Sequence, residues 1–192
     1  MKKYISYIAS KSLLLLLTIL LYTGCSKKDK ELKPGSWRGI LNVANQEIPF
    51  QMQVTKSAAG KTIAYLINGE EKILLDEIVV TGDSVKIPLH IFDADLKAHI
   101  NDSQDGLKGK WTRYNLEEPF VVEFSAKLGQ DYRFSEKPEK AAQNFSGKWD
   151  VIFKNDDGTE EKAIGVFEQN GPYLKGTFLS ATGDYRYLDG EV

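Results

Sequence analysis

Short apolar runs separated by turn dipeptides recur along most of this chain, and no other feature constrains its fold as strongly. From Trp37 onward, runs rich in Val, Ile, Tyr, Phe and Trp are each bounded by a dipeptide that favours a tight turn. Such dipeptides supply the positive φ angles that two-residue hairpin turns require. They are Asn68-Gly69, Gly82-Asp83, Asp105-Gly106, Asp157-Gly158, Asn170-Gly171 and Asp189-Gly190. The pattern predicts an all-β protein built from antiparallel meander or barrel-like units.

Within these runs, apolar and polar residues alternate with the two-residue period of a strand that buries one face. The clearest cases are residues 48–54, 84–89 and 120–124. Nothing comparable supports a helix after the first 24 residues. We therefore expect each strand to turn one apolar face toward a shared core.

The chain also repeats two of its own patterns, and each places a glycine close to a large aromatic residue. A glycine there lets a neighbouring backbone approach closely, while the ring fills the core. The first pattern is Gly35-Ser36-Trp37, repeated as Gly147-Lys148-Trp149, and the second is Leu107-Lys108-Gly109-Lys110-Trp111, repeated as Leu174-Lys175-Gly176-Thr177-Phe178. The repetition predicts two β units that use the same kind of strand.

These units divide the chain at a polar segment. The first unit covers residues 36–134, the second covers residues 147–192, and residues 135–146 form a short polar linker. The second unit has room for about four strands, and residues 185–192 read as a strand without a closing partner. An unpaired apolar edge favours pairing with another strand. We expect the second unit to be incomplete, the chain being a fragment or its sheet being completed elsewhere.

The first 25 residues are typical of a bacterial lipoprotein signal. A basic start precedes an apolar run at residues 13–21, and the only cysteine, Cys25, follows small residues. The apolar run is about half of the roughly twenty residues that a membrane span needs. We predict that residues 1–24 are a signal peptide with a signal helix, that Cys25 is the lipidation site, and that residues 25–35 are a solvated tether.

Acylation of Cys25 attaches the mature N-terminus to a membrane through its lipid. We therefore predict a membrane-anchored lipoprotein of the cell envelope, on the periplasmic side, because Lys27-Lys28 after the anchor provide little acidic export signal. Removing residues 1–24 takes away three of 25 basic residues and none of 27 acidic residues, so the net charge changes from −2 to −5. This balance argues against a nucleic-acid surface, which needs clustered Lys and Arg.

The sequence offers no catalytic constellation and one weak metal candidate. Both histidines lie in one segment, whose candidate ligands are His90, Asp93, Asp95 and His99. A strand alternates its faces, and no helix spaces the histidines at i and i+4, so a zinc site is not favoured. Once Cys25 is acylated, no thiol remains for disulfide or redox chemistry. We predict no metal, no cofactor and no catalytic residue, and ligand-binding residues stay unassigned.

Six segments of the chain occur in an order that resembles a known family. They are residues 67–71, 83–85, 109–111, 132–134, 147–149 and the run GTFLSATGDYRYLDG at 176–190. Over about residues 36–192, this order resembles the N-terminal region of TlpA-like lipoproteins, Bacteroidetes-type thiol-disulfide oxidoreductases of the cell envelope. The resemblance implies a β-rich accessory region that precedes a thioredoxin-like domain, with that domain and protein substrates as partners. The family's catalytic Cys-x-x-Cys maps onto no position of this chain.

We therefore predict a non-catalytic β-rich accessory region of a lipid-anchored envelope protein, from a TlpA-like reductase whose redox domain is missing from this chain. The alternative is a lipocalin-like lipoprotein that binds a small ligand. Gly147 and Trp149, followed by residues 183–186, are similar to the Gly-x-Trp and Thr-Asp-Tyr landmarks of lipocalins, with Gly183 replacing the threonine. A closed eight-strand barrel holds one small apolar ligand.

Overall fold

A computed structural model describes residues 29–185 and 187–192. The predicted signal peptide, its helix and Cys25 therefore lie outside the described residues. The described chain consists of antiparallel strands in two sheets, so the all-β prediction is confirmed. Among these residues, no helix is long and apolar enough to cross a membrane.

Nine strands form the first sheet, and a single 3₁₀ turn at His90–Phe92 interrupts them. Turn dipeptides separate several of these strands, as the sequence predicts. The strands are β1 (Gly35–Val43), β2 (Gln46–Lys56), β3 (Thr62–Asn68), β4 (Glu71–Leu75), β5 (Val79–Thr81), β6 (Ser84–Leu89), β7 (Ala94–Ile100), β8 (Gly106–Arg113) and β9 (Phe120–Leu128).

The strand order of this sheet is β4-β3-β2-β1-β9-β8-β7-β6-β5. Strands that follow each other in the chain are neighbours everywhere except at β4 and β5, which are the two edges. Only residues 76–78 join these edges, and such a link reaches at most about 14 Å. The sheet must therefore curl until its edges approach, and it forms a half-barrel with one seam between β4 and the pair β5 and β6.

Alternate side chains from these strands fill the inside of the half-barrel. The largest fully buried ones include Trp37 of β1, Met52 of β2, Ile87 of β6 and Phe124 of β9. Because these residues come from strands that are far apart in the chain, the first unit has one continuous apolar core. Burying such large side chains supplies most of the favourable free energy of folding.

Residues 29–33 run along one end of the half-barrel, and we call this segment the strap. We interpreted it as part of a solvated tether, but Leu32 is fully buried in the core. The backbone N–H of Lys30 donates to Gly82 O at 2.6 Å, and its Nζ donates to Ile100 O at 2.9 Å. The strap is ordered because it closes this end, which we call the strap end and which also carries the turns at 57–61, 82–83 and 101–105.

The opposite end of the half-barrel is its mouth. The turns at 44–45 and 69–70, the 3₁₀ turn and the loop 114–119 lie there, because they follow or precede the other ends of the same antiparallel strands. The two ends therefore differ: the strap covers one, and short turns surround the other.

The second sheet has five strands and one layer. Residues 129–146, which include the predicted linker, are irregular and join it to the first sheet. Strands β13 and β14 both pair with the outer edge of β12, and β10 forms the other edge. The strands are β10 (Gly147–Lys154), β11 (Glu160–Asn170), β12 (Tyr173–Ser180), β13 (Gly183–Asp184) and β14 (Leu188–Glu191).

Candidate functional site

The structure does not bring the predicted metal candidates together. His90 lies at the mouth, and its Nε2 is 3.3 Å from Oε2 of Glu77 in the link between β4 and β5. His99 lies at the strap end, where its Nδ1 is 3.3 Å from Asp83 Oδ1, and this hydrogen bond lowers the pKa of Asp83. Asp93 is in a left-handed conformation at the end of the 3₁₀ turn. Among the residues that the structure describes, no three His, Cys, Asp or Glu side chains are grouped as metal ligands.

Asp95 is the one buried charged residue among those described. Its Oδ2 lies 3.4 Å from Lys97 Nζ and 3.6 Å from Lys86 Nζ, so two ammonium groups balance its charge. The Tyr114 hydroxyl and Asp95 together raise the pKa of Lys97. A carboxylate that already faces two fixed cations is a poor ligand for a metal ion, so the position is best explained as structural.

The hairpin between β7 and β8 is held by a network of side-chain hydrogen bonds. Asn101 Oδ1 accepts from the backbone N–H groups of Asp105 and Gly106 at 3.0 and 3.1 Å. Asp105 accepts from Ser103 Oγ at 2.5 Å and pairs with Lys127 Nζ at 2.8 Å. Led by the Lys127 contact, these hydrogen bonds hold the pKa of Asp105 well below its usual range. The network explains the turn fully.

The repeated glycine and tryptophan pattern has the same geometry in both units. Gly35 and Gly147 have φ angles of 137° and 118°, which favour glycine. Trp37 Nε1 donates to Lys33 O at 2.9 Å, and Trp149 Nε1 donates to Phe145 O at 2.8 Å. In each unit the chain therefore bends back four residues before the tryptophan to accept its indole hydrogen bond.

The two tryptophans differ in what covers them. Trp37 is fully buried, because β1 lies between β2 and β9 inside the curled sheet. Trp149 is 45% exposed, because β10 pairs only with β11 and has an open edge. The second unit thus reproduces the entry of the first unit without the strand that corresponds to β9.

The face of the second sheet that carries Trp149 is aromatic. Phe178 packs edge-on against Phe153 at 5.0 Å and against Phe167 at 5.5 Å between ring centroids, and Tyr185 stacks on Phe153 at 5.5 Å. On this face only Ala163 and Gly165 are buried among the described residues. These four rings and Trp149 therefore lie on one face of a single-layer sheet and are only partly covered.

Side chains of the two units meet at the mouth end. Asn68 Nδ2 donates to Tyr187 O at 2.8 Å, and Lys175 Nζ pairs with Glu70 at 2.9 Å. Arg133 donates to Pro49 O at 3.1 Å and lies 3.5 Å from the Asp189 carboxylate. A groove of about 980 Å³ lies between these contacts. The contacts give the second sheet a defined position beside the mouth.

Sequence reasoning found Trp149 as part of a repeat but assigned it to packing, and it missed Arg133 as a bridge between units. The indole hydrogen bonds of the two units share one geometry, which only the fold shows. The equal spacing of Gly35-Trp37 and Gly147-Trp149 is the sequence signal that could have indicated it. The lipocalin landmarks at 147–149 and 183–185 lie in the open second sheet, whereas the curled sheet is the first one.

In comparisons with protein-family models, curated proteins and solved structures, nothing matched this chain.

Proposed function

We propose that this chain is the non-catalytic β module of a lipid-anchored protein of the cell envelope, and that its second sheet docks an adjoining thioredoxin-like domain of a TlpA-like reductase. In this proposal Cys25 carries the lipid, the first unit is a rigid spacer, and the redox chemistry belongs to the adjoining domain. The protein substrates of that domain are then reached from the membrane surface.

The observation that carries this proposal is the contrast between Trp37 and Trp149. The tryptophan whose indole N–H donates to the backbone four residues earlier is fully buried in the first unit and 45% exposed in the second. Exposing a large aromatic ring beside an open strand edge is unfavourable for an isolated module. A strand from an adjoining domain would pair with the open edge of β10, as β9 pairs with β1, and its side chains would bury Trp149.

The strap supports the membrane anchor in this proposal. Its first described residue, Asp29, follows Cys25 by four residues and accepts a hydrogen bond from Gly82 N at 2.6 Å. A lipid on Cys25 would therefore hold the strap end within about 14 Å of the bilayer surface. Such a short connection suits a spacer better than a long flexible tether does.

The protein purified from its native membrane tests the proposal. We expect an intact mass above that of residues 25–192, lipid on Cys25, and two additional cysteines that titrate after reduction. Oxidative footprinting should then show Trp149 several-fold more protected in the native protein than in the isolated chain. Trp111, which is half-buried inside the first unit, serves as the internal control.

A pair of variants separates docking from local stability. Trp149→Ser should lower the midpoint of thermal unfolding more in the native protein than in the isolated chain, because only the former buries the ring. Ile164→Ser, which is 43% exposed on the opposite face of the second sheet, should have a small effect in both. A native mass equal to that of this chain, or equal oxidation of Trp149 in both proteins, would refute the proposal.

A further inference from the structure

Inward-facing apolar side chains continue past the packed core to the mouth of the first unit. On β1 and β2 the inward positions between the buried Trp37 and Met52 and the mouth include Leu41, Ile48 and Phe50, in alternation. Apolar side chains therefore extend from the core to the mouth, where they form a rim together with polar residues such as Asn68 and Glu71.

The rim is exposed where the short turns surround the mouth. Ile91 and Phe92 of the 3₁₀ turn are 52% and 42% exposed, and Leu116 and Phe120 of the neighbouring loop and strand are similarly exposed. Exposed apolar groups gathered at one place mark binding sites more often than exposed groups that are scattered. The strap end, by contrast, is closed by the buried Leu32.

A cavity of about 420 Å³ lies at this mouth. Phe50, Leu66 and Ile73 form its floor, where they pack partly buried against the core, and Ile91 and Phe92 form one wall. This volume is within the range of small-molecule sites, which are mostly apolar with a few placed polar groups.

Arg133 provides the basic group of the cavity, whose lining also includes the polar residues Asn68 and Glu71. Its Nε donates to Pro49 O at 3.1 Å, and its Nη1 donates to Asn68 Oδ1 at 3.2 Å and faces Asp189 at 3.5 Å. A guanidinium has five N–H donors, and Nη2 makes no hydrogen bond to the residues that the structure describes. Glu71 also lines the cavity and repels an anionic group, so the anionic group of a ligand would have to sit beside Arg133.

We infer that the mouth of the first unit binds a small amphipathic carboxylate, with its apolar tail among Phe50, Ile91 and Phe92 and its carboxylate at Arg133. This inference does not rest on the docking proposed for the second sheet, and Asp189 of that sheet borders the site beside Arg133. The site lies at the mouth of the first unit, whereas the lipocalin landmarks at 147–149 and 183–185 lie in the second sheet. An apolar tail gains free energy from the rim, and a charge-assisted hydrogen bond from Nη2 of Arg133 favours a carboxylate.

Titration of the purified protein with a fluorescent fatty acid tests this inference. We expect saturable binding of one molecule per chain, displaced by an unlabelled fatty acid. The alcohol of the same chain length should bind about tenfold more weakly, because it lacks the charge that Arg133 recognises. This comparison uses the unaltered protein, so it does not depend on whether an Arg133 variant folds.

Variants of exposed residues test where the fatty acid binds. The double variant Ile91→Ser and Phe92→Ser should weaken binding at least about tenfold, because both side chains are exposed and line the cavity. Ile164→Ser on the second sheet should leave the affinity unchanged. Absence of saturable binding, equal affinity for acid and alcohol, or an unchanged affinity in the double variant would overturn the inference.

Discussion

At the scale of single residues, Gly109 shows why the second repeated pattern contains glycine. A Cβ at this position would lie 2.0 Å from Lys97 O and 2.5 Å from the Cα of Ala98, both of which are backbone atoms of β7. At Gly176, the corresponding residue of the repeat, a Cβ would lie 2.3 Å from Val166 O. Close approach of a neighbouring strand is therefore the common reason for both glycines.

We expect Gly109→Ala to destabilise the protein by about 1–3 kcal/mol, because β7 and β8 must separate to admit the methyl group. The free energy of unfolding in urea measures this effect. Lys108→Ala, an exposed position on the same strand, should change it by no more than about 0.5 kcal/mol. Equal stabilities of the two variants would show that the strands adjust without cost.

Asp105 should contribute to the acid sensitivity of the fold. Its pKa is lowered in the folded protein by Lys127, Ser103 and Asn101, whereas an unfolded Asp titrates near about 3.9. The unfolded state therefore takes up its proton first as the pH falls, so the stabilisation is complete above about pH 4 and is lost below it. We expect the urea midpoint of Asp105→Asn to fall less between about pH 5 and about pH 2.5 than that of the unaltered protein.

Asp156→Asn is the matched control for this pH dependence, because it removes one negative charge at the exposed tip of the hairpin between β10 and β11. Its midpoint should follow that of the unaltered protein across the same range. Parallel curves of urea midpoint against pH for Asp105→Asn and Asp156→Asn would show that the ionised Asp105 carboxylate does not stabilise the fold.

At the scale of elements, the strap demonstrates how one side chain can order a polar segment. Residues 26–35 are charged and lack a periodic apolar pattern, which is typical of a tether. Leu32 nevertheless enters the core, and Lys30, Glu31 and Lys33 hydrogen-bond to the turns of the strap end. Residues 29–33 are held at the strap end because the core of the half-barrel accepts one apolar residue there.

We expect Leu32→Ala to lower the free energy of unfolding by about 2–5 kcal/mol, because the change leaves a cavity at a fully buried position. Leu116→Ala, at a leucine that is 51% exposed in the loop before β9, should cost no more than about 0.5 kcal/mol. Chemical denaturation measures both. Similar losses would mean that the strap is held by its hydrogen bonds alone.

At the scale of the whole molecule, the strap and the contacts between units lie at opposite ends of the first unit. The strap begins at Asp29, and the second sheet meets the first near Asn68 and Glu70. If Cys25 carries a lipid, the strap end faces the bilayer, and both the mouth and the second sheet point away from it. The first unit then acts as a spacer about 20 Å tall, given its strand lengths.

Probes attached at the two ends should report this orientation in lipid vesicles. A fluorophore on Lys61→Cys, in a turn at the strap end, should be quenched strongly by a quencher confined to the bilayer. The same fluorophore on Glu118→Cys, in an exposed loop at the mouth, should be quenched several-fold less, because quenching falls steeply over such distances. Equal quenching at both positions would contradict a fixed orientation.

Local patterns were sufficient to predict the class of the fold. The sequence predicts antiparallel strands from two local patterns, which are the alternation at 48–54, 84–89 and 120–124 and the glycine-containing turns. Both are local because the period of a strand and the φ angles of its turns depend on neighbouring residues only. The repeat of Gly35-Trp37 at Gly147-Trp149 likewise indicated two related units. Neither pattern states which strands become neighbours beyond a hairpin.

Long-range packing decided the rest. The pairing of β1 with β9 joins the two halves of the first sheet, the short link 76–78 requires it to curl, and Trp37 is buried, whereas β10 has no such neighbour and Trp149 stays exposed. The same packing separated His90 from His99, drew Leu32 into the core and brought Arg133 to the mouth. These outcomes depend on contacts between residues that are distant in the chain, and the burial of a side chain is a property of all its neighbours rather than of its own segment.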